Sequence, residues 1–260
     1  MNNTIEALPY PFDPARPLRD ANRARIDLIY QAALNQAERI AQSTDQPSTW
    51  PLNPDVMRVT VQPIAPSARL LAPKEIAEQE RALQDGPVGK FFSDSARPIP
   101  TGVMWSDFYI DGGDRNARIA LENGTVCHIG QALSKSKDDL PRLYLSELMT
   151  QIILCVQVAH QLHKEHVPET GMALSVEIRN LGQYAAINHQ GVTVCGKRIA
   201  LLENWVWQYH IPAPIFAAEA EVNKQILTVV EEVYWGFGYF NISRQLILNL
   251  AMQQGLVLAS

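Results

Sequence analysis

Three histidines close one long apolar run: His160, His163 and His166 in "HQLHKEH". On a helix, a spacing of three sets successive imidazoles about 60° apart around the axis. Two of them could therefore share a metal ion. The stretch is not HExxH, and no second cluster of ligands accompanies it. Histidine and lysine near a helix C-terminus are also favoured by the helix macrodipole. The histidines are therefore candidate ligands and candidate capping residues at once, and the expectation is no bound metal and no cofactor.

The densest carboxylate group is Asp107, Asp111 and Asp114, with Glu122 further on. A metal-dependent hydrolase or nuclease would need such groups to converge on a cation, usually with a lysine nearby. No lysine lies in this segment, and "DGGD" (111–114) has the residues of a turn. The three cysteines, Cys127, Cys155 and Cys195, are odd in number and widely spaced, with no CxxC. Neither a disulfide framework nor a thiolate zinc site follows. Cys127 and His128 are adjacent in a strand-like stretch, so they point to opposite faces and cannot form a dyad. No GxSxG, GxGxxG or GxxxxGK[ST] occurs.

Arg16, Arg19, Arg23 and Arg25 form the one dense basic stretch. If it is helical, Arg16, Arg19 and Arg23 share a face. They could contact phosphates, a partner chain or only solvent. The net charge is −5 and the isoelectric point about 5.7. A free-standing nucleic-acid binder draws most of its affinity from neutralised phosphates, so nucleic acid is expected to bind weakly or through a partner. Near the end, "EEVYWGFGYFNIS" (231–243) crowds five aromatic rings around two glycines. On a helix, Val222, Ile226, Val229, Val233 and Phe237 fall on one stripe, with Tyr234 beside it and Trp235 away from it. That favours a packed helix end over a base-stacking platform. Trp205 and Trp207 share a strand face and could pack beneath it.

The elements that must position these residues can be read from period and punctuation. A helix is expected from near Asp20, broken by "STDQPSTWPLNP" (43–54). "DVMRVTVQPIAP" (55–66) alternates as a strand, and "APKEIAEQERALQ" (72–84) is a helix with Pro73 in its first turn. "GVMWSDFYIDGG" (102–113) reads as a strand. "ARIALENGTVCHIG" (117–130) reads as a hairpin turning on two residues, Asn123-Gly124. A long helix over 143–166 should lie across the sheet. A long, bent strand follows over 172–187, with Gly182 as its kink, then a strand over 198–211 and a helix over 218–239.

This pattern predicts an α+β fold: a mixed, largely antiparallel sheet with helices packed mainly on one face, preceded by a long N-terminal helix. The expected organisation is residues 1–54 as arm, helix and proline-rich linker, and 55–260 as the α+β domain. The N-terminus lacks the pattern of a signal peptide. The longest apolar stretch, "IILCVQVA" (152–159), is far short of the about 20 residues a membrane span needs. A cytoplasmic protein with no membrane association is expected.

The order of these pieces resembles the region that follows the Schlafen-type, Alba-like DNA-binding domain in many bacterial proteins. An arginine-bearing helix leads there to a "v-v-P-l" strand, here "VTVQPIAP", and a strand ending in "f-D-G", here "FYIDGG". A strand-turn-strand, here "ARIALENGTVCHI", an "l-x-G-x-x-x-a" strand, here "VEIRNLGQYAAI", and a helix ending in "W-x-x-x-G" complete it. The resemblance spans roughly residues 20–243. Tyr234 takes the tryptophan's place if Gly238 is the matching glycine, and His128 stands where the hairpin's acidic residue is expected. This sequence contains no Alba-like domain. The resemblance thus implies a downstream accessory or sensor module with no catalytic residues to carry over, acting with a partner chain, with homo-oligomers also open.

Overall fold

The computed structural model describes residues 15–43, 56–66, 69–92, 95–108, 115–131, 133–134, 142–179, 186–188, 198–199 and 204–258. In chain order the elements are α1 (Arg16–Ser43), β1 (Val56–Pro63), α2 (Pro73–Leu83), β2 (Ser95–Ile99), β3 (Gly102–Phe108), β4 (Arg115–Leu121) and β5 (Val126–Gln131). They continue with β6 (Leu133–Ser134), β7 (Arg142–Tyr144), α3 (Leu145–His163), β8 (Met172–Arg179), β9 (Ala186–Asn188), β10 (Arg198–Ile199) and β11 (Trp205–Ile211). Three helices end the chain: α4 (Ala213–Ala217), α5 (Glu219–Gly236) and α6 (Arg244–Gln253).

Seven strands form one sheet in the order β11-β8-β1-β5-β4-β3-β2, and every neighbouring pair is antiparallel. A smaller sheet, β10-β9-β7-β6, contains one parallel pair, β7 with β9. The fold is therefore α+β with a mixed, largely antiparallel pairing. The alternation of β1 explains how the large sheet is covered. Met57, Val59 and Val61 join the larger core with α3, α5 and α6, while Arg58, Thr60 and Gln62 point the other way. Those polar side chains are buried too, because α1 crosses that second face. Ile26, Tyr30, Ala33 and Leu34 of α1 pack on Ile119, Leu121, Cys127 and Ile129 of β4 and β5. α3 is buried nearly all round, as a helix between a sheet and two further helices must be.

Several boundaries depart from the sequence expectation. α1 begins at Arg16 instead of near Asp20, because Pro17 lies in its first turn, where the missing N–H costs nothing. The hairpin loop holds three residues, Glu122, Asn123 and Gly124. Leu121 N–H donates to Thr125 O at 2.8 Å across the base, and Gly124 takes φ of +87°. The glycine thus supplies one left-handed residue, the three-residue alternative to a primed two-residue turn. The stretch 172–187 is two strands in different sheets, and Gly182 lies outside the described residues. The second half of the expected strand 198–211 is β11, and its first two residues are the separate β10.

Candidate functional site

The three histidines of α3 and its C-terminal turn diverge. His160 Nδ1 lies 2.8 Å from the carbonyl of Phe216, and its ring meets that phenylalanine edge-on. His163 is buried and donates from Nε2 to Gly124 O at 2.9 Å, fixing the hairpin loop against α3. His166 is exposed beyond the helix end. Burial, chiefly, holds the His163 imidazole down to about 4. Among the described residues no group of three or more histidine, cysteine, aspartate or glutamate side chains is placed to hold a metal ion.

Of the four carboxylates, only Glu122 has a described side chain. Glu122 faces Arg69 at 3.6 Å. Asp107 pairs through its backbone with Asn116, and Asp111 and Asp114 lie outside the described residues. Cys127 and His128 do occupy opposite faces of β5. Burial pushes the Cys127 thiol up to about 11 and holds the His128 imidazole well below its ordinary range, with Arg118 adding to the latter. Neither is poised as a nucleophile or a general base near neutral pH. Cys155 is a second buried thiol, raised by the same cause, and Cys195 lies outside the described residues.

The arginine stretch turns toward the sheet. Arg19 donates to Ile64 O at 2.9 Å, and Arg23 meets Glu177 Oε2 at 2.7 Å. Glu177 is 3% exposed and also receives Arg179 at 2.5 Å and Ser175 at 3.3 Å. Arg16 lies 3.8 Å from Asp20, one turn along the helix, and Arg25 is half-buried. Beside them Asn22 bridges Gln62 and Thr125 and accepts from Asn123 at 3.0 Å. Arg58 pairs with Asp27 of α1. This seam was not legible in the sequence, where Arg58 and Glu177 lie far apart along the chain. The usable signal was opposite charge at facing positions of two strands, which becomes visible only once the β1–β8 register sets Arg58 across from Glu177.

The aromatic run is the packed end of a helix with two rings left over. Val222, Ile226, Val229, Val233, Tyr234 and Phe237 are buried. Trp205 and Trp207 stack at 5.3 Å, and both rest on Phe237. Gly236 presses so close that a Cβ there would lie 2.9 Å from Trp207 Cζ2. Trp235 and Phe240, by contrast, are 62% and 64% exposed and meet edge-to-face at 5.6 Å. Trp235 lies next in the chain to Gly236, which packs on Trp207 of β11, the edge strand whose outer side pairs with no strand among the described residues.

No protein-family model, curated protein or solved structure matches the chain. No helix among the described residues is long and apolar enough to cross a membrane.

Proposed function

We propose that this chain is a non-catalytic accessory or sensor module that acts through a partner protein. The observation that supports it best is the exposed Trp235–Phe240 pair. Aromatic side chains of this size bury roughly 150–250 Å² each when covered, and tryptophan is enriched among residues that dominate binding energy. Here two such rings hold each other in place at the end of a rigid helix, so little side-chain freedom is lost on contact. The partner would offer an apolar socket. The resemblance to the region downstream of an Alba-like domain suggests a cytoplasmic partner that itself handles nucleic acid, in a nucleic-acid-related or defence system.

Two other readings draw less support. A nucleic-acid-binding regulator would use Arg16, Arg19, Arg23 and Arg25, yet Arg19 and Arg23 are engaged with Ile64 and Glu177. A metal-dependent hydrolase or nuclease would need Asp107, Asp111, Glu122 or the histidines to converge.

The test is a photo-crosslinking phenylalanine analogue at position 240, used in the native cell. One defined heterologous protein should be captured, and Trp235→Gln should abolish capture while shifting stability by no more than roughly 0.5 kcal/mol, as surface changes usually do. No adduct, or an adduct only with a second copy of the chain, overturns the proposal. So does sequence-specific nucleic-acid binding by the isolated chain that survives about 150 mM salt, because a few exposed arginines could not sustain it.

A further inference from the structure

The charges around the exposed aromatic pair constrain what can cover it. Trp235 belongs to the last turn of α5, and a helical side chain leans back over the turn before its own Cα. Its ring therefore lies toward Glu231 and Glu232, its neighbours four and three residues earlier. The two carboxylates are differently engaged. Glu231 receives Arg244 Nε at 3.0 and 3.2 Å, and the same guanidinium reaches Thr228 Oγ1 at 3.4 Å. Arg244 is the first cation after the aromatic pair in the chain, so it is committed to α5 itself. Glu232 is exposed and leans toward Tyr209 of β11, where its charge adds to burial in raising the phenol. A neutral phenol cannot cancel that charge. The patch thus offers two rings, 62% and 64% exposed, beside an exposed carboxylate. The imbalance runs along the helix. α5 carries Glu219, Glu221, Glu231 and Glu232 against Lys224, and Lys224 already pairs with Glu221 at 2.6 Å. The whole chain carries −5.

A purely apolar cover would take the Glu232 carboxylate out of water with no cation beside it, which is costly. An acidic cover would be repelled. A cation is attracted twice, by the carboxylate and by the negative face of an aromatic ring. Arginine meets both at once, because its flat guanidinium stacks on an indole while its edge N–H groups reach a carboxylate. The ammonium of lysine is a compact, strongly hydrated point charge with no flat face to offer.

We infer that the partner presents an arginine to this patch, stacked on Trp235 and paired with Glu232, with an apolar residue beside it on Phe240. This rests on the accessory reading above and adds the chemistry of its partner.

The test titrates the full chain, isotopically labelled, with three short peptides: Ac-Leu-Arg-Leu-NH2, its citrulline counterpart, which keeps nearly the same shape without the charge, and its glutamate counterpart. The arginine peptide should shift the Trp235 indole N–H saturably. The citrulline peptide should bind about fivefold more weakly, the loss of one exposed ion pair together with its cation–π contact, and the glutamate peptide should not saturate. Glu232→Gln, an exposed change, should weaken the arginine peptide about threefold and the citrulline peptide hardly at all. No saturable shift at Trp235, equal affinity for the citrulline peptide, or unchanged arginine affinity in Glu232→Gln overturns the assignment. Crosslinking from position 240 reports separately. A heterologous protein captured there while the arginine peptide fails removes this inference and leaves the accessory reading standing. Absence of capture removes the accessory reading, and with it the partner to which this arginine is assigned.

Discussion

His163 illustrates how one side chain can look catalytic in sequence and be structural in the fold. Its Nε2–H is committed to Gly124 O, and Nδ1 is buried with no partner among the described residues. A second proton would therefore create an imidazolium with no counter-charge in a dry setting. Burial is the main cause of its depressed value of about 4; His166 adds to the depression and the Gly124 carbonyl opposes it. An unfolded histidine titrates near 6.5. Between those values the unfolded chain takes up a proton that the folded chain refuses, so stability is full above about pH 6.5 and falls as pH drops toward 4. His128 acts in the same direction. Denaturant unfolding at pH 7 and pH 5 should differ by about 2 kcal/mol from His163 alone, and His163→Gln should remove that share. An unchanged difference in the variant would show that the ring is already charged in the fold. The residues of α3 told the truth about helix position and said nothing about this contact, because Gly124 is 39 residues away.

At the scale of elements, what was legible was what is local. The stripe Val222, Ile226, Val229, Val233 and Phe237 is the buried face of α5, because helical period and burial are one geometric fact. The end of α5 is equally local. Gly238 N–H donates to Trp235 O at 2.8 Å and Tyr239 N–H to Tyr234 O at 3.0 Å, around a glycine with φ of +82°. That is a Schellman cap. α6 ends the same way at Gly255, with Leu256 buried against it, and begins at Ser243, whose hydroxyl accepts from Leu246 N–H at 3.2 Å. Those caps are legible in "NISRQLILNLAMQQG", where Ser243 and Gly255 bracket α6. β2 was hidden for a different reason. Its Pro98 argues against a strand in general and is tolerated here because β2 is an edge. Gly238→Ala should cost about 1–2 kcal/mol, the strain of a Cβ at a left-handed position, and Gly238→Asn less. Equal stability of all three proteins in thermal unfolding would mean the cap is not holding the helix end.

Across the whole molecule, the two faces of the large sheet are covered by different means. The α3 face is apolar throughout its centre. The opposite face is half apolar, where α1 meets β4 and β5, and half polar, where it meets β1 and β8. The polar half specifies position more than it stabilises. Arg58 is 2% exposed and its Nε and Nη1 find no partner among the described residues, which is costly, while the Asn22 network ties helix to sheet through Gln62, Thr125 and Asn123. None of this was readable along the chain, since Asn22 reaches Gln62 and Thr125 across 40 and 103 residues. The proline-rich stretch after α1 suggested a boundary at residue 54, with 55–260 as the α+β domain. The packing of α1 bears on whether 55–260 would fold without it. Ile26, Tyr30 and Leu34 on the helix, and Ile119, Leu121 and Ile129 on the sheet, are all buried in their shared contact. At roughly 1.5–3 kcal/mol for each large side chain, exposing the six would forfeit about 10 kcal/mol, as much as the whole net stability of many domains. It would also leave Glu177 and Arg58 without Arg23 and Asp27. A fragment beginning at residue 55 should therefore lack a cooperative thermal transition and bind a hydrophobic dye. Ile26→Asp in the full chain should move part of the way, lowering stability by about 3 kcal/mol, because one unpaired carboxylate is forced against β4 and β5. A fragment that melts cooperatively at the full chain's temperature would show that α1 is an appendage, and the second face of the sheet would then be the surface to search for a partner.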